Sequence, residues 1–400
     1  MGKGRINMKA ATHRKRHALH SFFEHLHSFF VKCVKPFVKK NIVMVIAMCC
    51  AAVTCLAVPP DREYLGYFDL KTLTCLFCVL AVVCALKNIR FFYILARRIV
   101  ELFKTAKISV LALVYITFIG SMLIANDMAL LTFLPLGFFV LNETGMKKYM
   151  AFTFIMQNIA ANLGGMLTPF GNPQNLYLYS RFNIPTLEFM GIMLFPFLLS
   201  VVLITLCVLI FVRGEPLELK EERVSLPPVR TVIYLLLFTL AIVIVFRGIP
   251  YWIGLIIIPI ILLIMDREAL KSVDYPLLLT FVFFFIFAGN MARIEGVKNI
   301  FGYLMEQSTL VFSTLSCQLI SNVPSAILLS QFTGNYHDLL LGVNIGGVGS
   351  LIASLASLIT LREYSKNDPK GTKAYIVKFS LFNFAFLFIL LGSLLLLKLI

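Results

Sequence analysis

Two polar, glycine-rich segments interrupt otherwise apolar sequence, and both carry residues able to hold a small ion. In the first, Asn126 and Asp127 precede an apolar run to Pro135, and Asn162, Gly164, Gly165, Thr168, Gly171, Asn172 and Asn175 follow. In the second, Ser321 and Asn322 precede Pro324, and Asn344, Gly346, Gly347, Ser350 and Ser354 follow. Amide, hydroxyl and carboxylate oxygens are the hard ligands sodium needs, and an asparagine offers donor and acceptor together. A helix broken at membrane depth also exposes unpaired N–H groups at the start of its second half, which favour anions. The unpaired carbonyls ending its first half favour cations. Paired glycines let the backbone bend and approach a ligand closely, while Pro169 and Pro173 remove backbone donors and keep the break open.

The chemistry expected is capture of a small anion with a cation beside it. Asn126, Asn162, Gly164, Gly165, Thr168, Asn322, Asn344, Gly346, Gly347 and Ser350 are the expected substrate ligands. Asp127, Gly171, Asn172, Asn175, Ser321 and Ser354, with Asn126 and Asn322 again, are the expected ion-coupling residues. Asp127 is the carboxylate placed deepest in an apolar hairpin, and an ionisable group there is costly unless it serves function. It could coordinate sodium, carry a proton, or cap the returning half-helix. Tight helix packing accounts for Gly346-Gly347-x-Gly349 as well as a site does. It does not account for Asn172-Pro173-Gln174-Asn175, four polar or helix-breaking residues in an apolar span.

Such segments have to be held within a membrane. The chain has 400 residues, 59% of them hydrophobic and 14% charged, with a mean hydropathy of +0.88. Apolar runs near the ~20 residues that cross a bilayer recur along its length. An all-α polytopic protein of the cell membrane is expected. The net charge of +16 does not point to nucleic acid. With the N-terminus cytoplasmic and the C-terminus outside, 29 of the 36 Lys and Arg fall in inner segments, which is the positive-inside bias. Cysteines such as Cys75 and Cys78 lie within apolar spans and read as small buried hydrophobes.

Residues 1–41 form a basic arm whose apolar residues between about 17 and 33 recur at helical spacing, as in a helix lying on the membrane surface. His20, Glu24 and His27 share one face of it, a solvated polar face rather than a metal site. The first repeat covers 42–212: spans at about 42–58 and 67–86, an interfacial helix at 90–106, a hairpin at 107–142, an interrupted span at 149–180 and a span at 186–212. A polar linker at 213–230 follows. Residues 231–400 hold an extra crossing at 231–247 and then the same series, with its hairpin at 308–334 and its interrupted span at 338–361. The single extra crossing inverts the second copy, so one hairpin enters from the cytoplasm and the other from outside. Asn162/Asn344, Gly164/Gly346, Gly165/Gly347 and Thr168/Ser350 keep an offset of 182, whereas Asn175 meets Ser357. Inverted repeats with interrupted helices are the sequence pointer to a secondary transporter's site.

At these residues the chain resembles the ion transporter superfamily, and within it the citrate-transporter-like permeases, which include divalent anion–sodium symporters, arsenite permeases and NhaD-type antiporters. Ala125-Asn126-Asp127 with Pro135 is similar to the arsenite-permease form of the first hairpin. Asn162 to Asn175 is similar to the superfamily's interrupted helix, and Ser321-Asn322-Val323-Pro324 to its second hairpin tip. The resemblance spans residues 42–398. It implies a homodimer with a scaffold and a moving transport domain, working by elevator-type alternating access. The dicarboxylate symporters carry Ser-Asn-Thr at both tips. The tips here differ, which argues against a dicarboxylate.

The expected function is secondary transport of a small anion, a carboxylate or inorganic oxyanion, coupled to Na+ or H+. The alternative is a cation–proton antiporter with Asp127 as carrier, and a receptor or intramembrane enzyme stands further off. No phosphate-binding loop or nucleophile elbow occurs, so neither a cofactor nor enzymatic activity is expected.

Overall fold

The computed structural model describes Val38, residues 41–216 and residues 226–399. The basic arm, its amphipathic helix and the middle of the 213–230 linker lie outside the described residues. Within them the protein is helical, with one isolated bridge, Thr105 to Pro216, and no strand. Among the described residues, six helical stretches are long and apolar enough to cross a bilayer, and two shorter apolar helices accompany them.

The first series runs α1 (Ile42–Ala57), α2 (Leu70–Asn88), α3 (Phe91–Glu101), α4 (Ala106–Ile124), α5 (Asn126–Glu143), α6 (Met150–Gly164), α7 (Pro173–Arg181) and α8 (Thr186–Phe211). Next come α9 (Pro228–Val245), α10 (Tyr251–Met265) and α11 (Arg267–Lys271). The second series continues with α12 (Tyr275–Arg293), α13 (Glu295–Ile320), α14 (Asn322–Leu329), α15 (Tyr336–Ile345), α16 (Leu355–Asn367) and α17 (Thr372–Leu399). Both hairpins and both interrupted helices form as the sequence predicts. The interfacial helix of the second series runs straight into the hairpin arm within α13, bent where Ser308 leaves helical geometry. The 3-10 turn at Arg62–Tyr67 and the short α11 were not foreseen.

Packing between the halves is reciprocal. Helix α1 packs on α12 and α2 on α10; α5 packs on α16 and α14 on α7. The outer helices turn apolar side chains outward: Leu198, Val202 and Leu206 on α8, Leu236 on α9, Ile256 and Ile260 on α10, Leu381 and Phe388 on α17. So much exposed apolar surface suits a hydrocarbon solvent and not water.

Charged residues at the helix ends find specific partners. Arg293 donates to Asp61 at 2.6 Å and to the Tyr67 hydroxyl at 3.1 Å, and its guanidinium holds the Asp61 carboxyl below its usual range. Arg247 Nη2 donates to the Tyr179 carbonyl at 2.7 Å, with its guanidinium 4.1 Å from that ring's centroid. The sequence suggests that Asp338 is solvated. Instead it is 7% exposed in the first turn of α15, where Asn335 Nδ2 donates to it at 3.1 Å. The helix cap closes over the carboxylate.

Where the first repeat meets the linker, Lys148 Nζ donates to Glu215 at 2.6 Å and the Tyr149 hydroxyl donates at 3.0 Å. Lys148 first, then Tyr149, lowers the Glu215 carboxyl below its ordinary value. A depressed folded pKa stabilises above the unfolded value and loses that contribution as pH falls through the folded one. The thermal midpoint of Glu215→Gln is therefore expected below wild type at neutral pH, with the gap closing below about pH 4. Parallel scans against pH check this, and a gap independent of pH overturns it.

Candidate ion and substrate site

Both hairpins turn on one residue with positive φ: Ala125 (φ 64°, ψ 150°) and Ser321 (φ 74°, ψ 161°). A non-glycine residue held there is strained, by about 1–3 kcal/mol, and persists only where its surroundings fix it. The next residue does the same work in both tips. Asn126 Oδ1 accepts from the Asp127 N–H and Asn322 Oδ1 from the Val323 N–H, each at 2.9 Å. The Asn126 N–H donates to the Gly171 carbonyl at 3.2 Å, and the Asn322 N–H to the Ala353 carbonyl at 3.0 Å. Each tip is thus stitched to the break of its own interrupted helix.

The breaks answer in kind. Thr168 Oγ1 donates to the Met122 carbonyl at 2.8 Å, and Ser350 Oγ to the Gln318 carbonyl at 3.1 Å. Both carbonyls belong to the last turn of a hairpin arm, where no helical N–H is left to bond them. Inside the first break, Asn175 Nδ2 donates to the carbonyls of Gly165, Met166 and Thr168. In the second, Gln318 donates to the carbonyls of Gly346 and Val348 and accepts from the Ser350 N–H. The amide that Asn175 provides from its helix has moved to the hairpin in the other half, which explains why Asn175 meets Ser357 in the repeat. Sequence reasoning passed over Gln318. The one side-chain amide in the hairpin arm 308–320, four residues before the tip asparagine, was its signal.

Close approach explains the glycines. A Cβ on Gly164 would strike the Phe118 carbonyl of the hairpin, and one on Gly171 the Gly165 carbonyl. Backbone cannot yield as a side-chain end can. Gly164→Ala is expected to lower stability by about 1–3 kcal/mol, measured by thermal unfolding in detergent; an unshifted midpoint overturns this account.

At the centre the halves are bonded to each other. Asn344 Nδ2 donates to Asn175 Oδ1 at 2.7 Å and Asn172 Nδ2 to Asn344 Oδ1 at 3.4 Å, while within the first half Asn126 Nδ2 donates to Asn162 Oδ1 at 3.3 Å. The position a Cβ would take on Gly347 lies 3.1 Å from Asn322 Nδ2 and 3.5 Å from Asn162 Oδ1. Asn322 of the second tip and Asn162, which is bonded to Asn126 of the first, thus approach the same glycine. Both tips border a cavity of about 710 Å³ whose lining includes Asn126, Asp127, Gln174, Ser321, Asn322 and Ser354.

The expected residues so divide into two groups. Asn126, Asp127, Ser321, Asn322 and Ser354 line the cavity. Asn162, Gly164, Gly165, Thr168, Gly171, Asn172, Asn175, Asn344, Gly346, Gly347 and Ser350 stand behind that lining, in the breaks and the bonds between halves. Gln174 was not singled out, yet it lines the cavity with neither amide atom partnered. Asp127 Oδ1 is likewise buried without a partner.

Paired hairpins and broken helices around a buried polar centre, in an all-helical apolar chain, define a multi-pass integral membrane protein built to hold a small solute. Residues 30–336 match the model of a family described as citrate transporter. An uncharacterized transporter of Methanocaldococcus jannaschii is 36% identical over 77% of this chain and 85% of its own length. The inner membrane protein YbiR of Escherichia coli K12 is 30% identical over 68% of this chain and 74% of its own. The chain belongs to the citrate transporter family and is a membrane transporter.

Proposed function

We propose that the protein is a secondary active transporter of a small anion, a carboxylate or inorganic oxyanion, coupled to Na+ or H+ through Asp127. The observation that carries this reading is the convergence of four helix N-termini on one cavity. Asn126 opens α5, Pro173 α7, Asn322 α14 and Leu355 α16, and all four residues line it. Helix N-termini carry partial positive charge that favours an anion, here through the helix dipoles, since the first N–H groups of α5 and α14 are bonded within the tips and breaks. No Lys or Arg is among the lining residues. The backbone therefore supplies the attraction, which suits an anion of low charge. Citrate, which gives the family its description, carries more charge than this lining balances unless a cation accompanies it.

The other parts of the reading rest on sequence and geometry together. The lysine and arginine bias supports a cytoplasmic N-terminus and an outer C-terminus in the cell membrane. The constant offset and reciprocal packing support inverted repeats, in which the hairpins and broken helices move as a body against α1, α2, α10 and α12. A homodimer completes the arrangement.

A second reading has its own support: the buried, unpartnered Asp127 Oδ1 suits a cation–proton antiporter. Proteoliposome flux separates the two. Anion uptake driven by an inward sodium or proton gradient supports the first, and sodium–proton exchange without anion supports the second.

A further inference from the structure

We infer that Gln174 determines substrate specificity, reading a group that carries an O–H beside an oxygen acceptor. The inference rests on the anion reading above and deepens it.

Gln174 is the second residue of α7 and is 1% exposed. Both its amide nitrogen and its amide oxygen are buried without a partner, although the side chain lines the cavity. Among the described residues, the other buried unpartnered polar atom on that lining is Asp127 Oδ1. The remaining amides of the centre donate to one another or to carbonyls of the breaks; Asn172 Oδ1 is also unpartnered, but it lies off the cavity lining and its Nδ2 is bonded. A buried amide without partners is unfavourable, so the fold does not account for this one.

The duplication separates architecture from recognition. Counterparts at the constant offsets preserve the stitching: Asn126 matches Asn322, Thr168 matches Ser350, and Gly171 matches Ala353 in accepting the tip N–H. Gln174 matches Ala356 and Asp127 matches Val323. The second half builds the same break and the same tip without them. Both groups are therefore dispensable to the fold and belong to what the cavity binds.

The amide is chemically specific. Its N–H2 needs an acceptor and its C=O needs a donor. A fully ionised carboxylate or sulfate satisfies the first alone and leaves the oxygen bare. A hydroxy acid or a partly protonated oxyanion satisfies both. A site built to bond a hydroxyl rejects the analogue lacking it, because its own polar group is left unpaired.

The test uses the whole protein in proteoliposomes at pH 6.5, under inward sodium and proton gradients, with two probe pairs: phosphate against sulfate and glycolate against acetate. Wild type is expected to take up the O–H-bearing member of at least one pair tenfold or more faster at limiting concentration. Gln174→Met is expected to bring that ratio within twofold through KM, leaving the half-saturating cation concentration and the thermal midpoint unchanged. If that variant does not fold, Gln174→Glu is read instead; losing the donor and adding charge, it is expected to lose anion uptake. Equal uptake within both pairs by wild type, or a ratio retained in Gln174→Met, overturns the inference while transport stands. Uptake of none of the four overturns the anion reading and this inference with it.

Discussion

Asp127→Asn is expected to abolish ion-coupled uptake in a protein that still folds. The substitution keeps size and shape at the first turn of α5, where Asp127 lines the cavity and its Oδ1 touches no protein donor. Asparagine caps and begins helices well, so the helix keeps its geometry. What vanishes is the one charge on the lining. Bonds to a charged group are worth about 1.5–3 kcal/mol, so cation affinity is expected to fall by roughly tenfold to a hundredfold. Uptake driven by sodium and by proton gradients, with a thermal midpoint for the fold, checks this. Coupled transport at the wild-type rate would remove the carboxylate from the mechanism.

The second large effect belongs to Asn344, whose replacement by leucine is expected to unlock the two halves. It removes the bonds to Asn175 Oδ1 and from Asn172 Nδ2, and a bond to the Leu340 carbonyl at 2.8 Å. Asn175 Oδ1 is then buried with no donor and Asn172 Nδ2 keeps only the Asn162 carbonyl at 3.4 Å. Each orphaned group costs about 1–3 kcal/mol, and the break that Asn175 holds together loosens with it. The thermal midpoint should drop and transport should be lost even where protein remains. Gly191→Ala, inside α8 with open space around it, is the comparison and is not expected to lower the midpoint. A midpoint equal to wild type refutes the locking role.

Much of this was readable from the chain because membrane-depth polarity is so costly that each polar interruption needs a reason. The tip expected at Asn126-Asp127 falls one residue earlier, at Ala125 and Asn126, and the break expected from Gly164 to Pro173 runs from Gly165 to Asn172. Patterning could not say which polar residues face the ligand and which face each other. Asn172 and Gln174 are two residues apart, yet one bonds across the centre to Asn344 and the other is left for the cavity. That choice depends on partners more than 150 residues away, which no local periodicity encodes. The same holds for Arg293, whose pairing with Asp61 closes a turn that no local pattern marks.

The wall between the central body and its surroundings has a mechanical meaning. Helices α1 and α12 line the cavity with Val43, Ile46, Phe284, Phe287 and Met291, and α13 adds Phe312, Leu315 and Leu319. In the elevator-type cycle proposed above, such faces would slip as greased plates do: grease exchanges for grease. The clasp of Arg247 on Tyr179, which ties the turn after α9 to α7, is the kind of directional bond that such a movement would have to break.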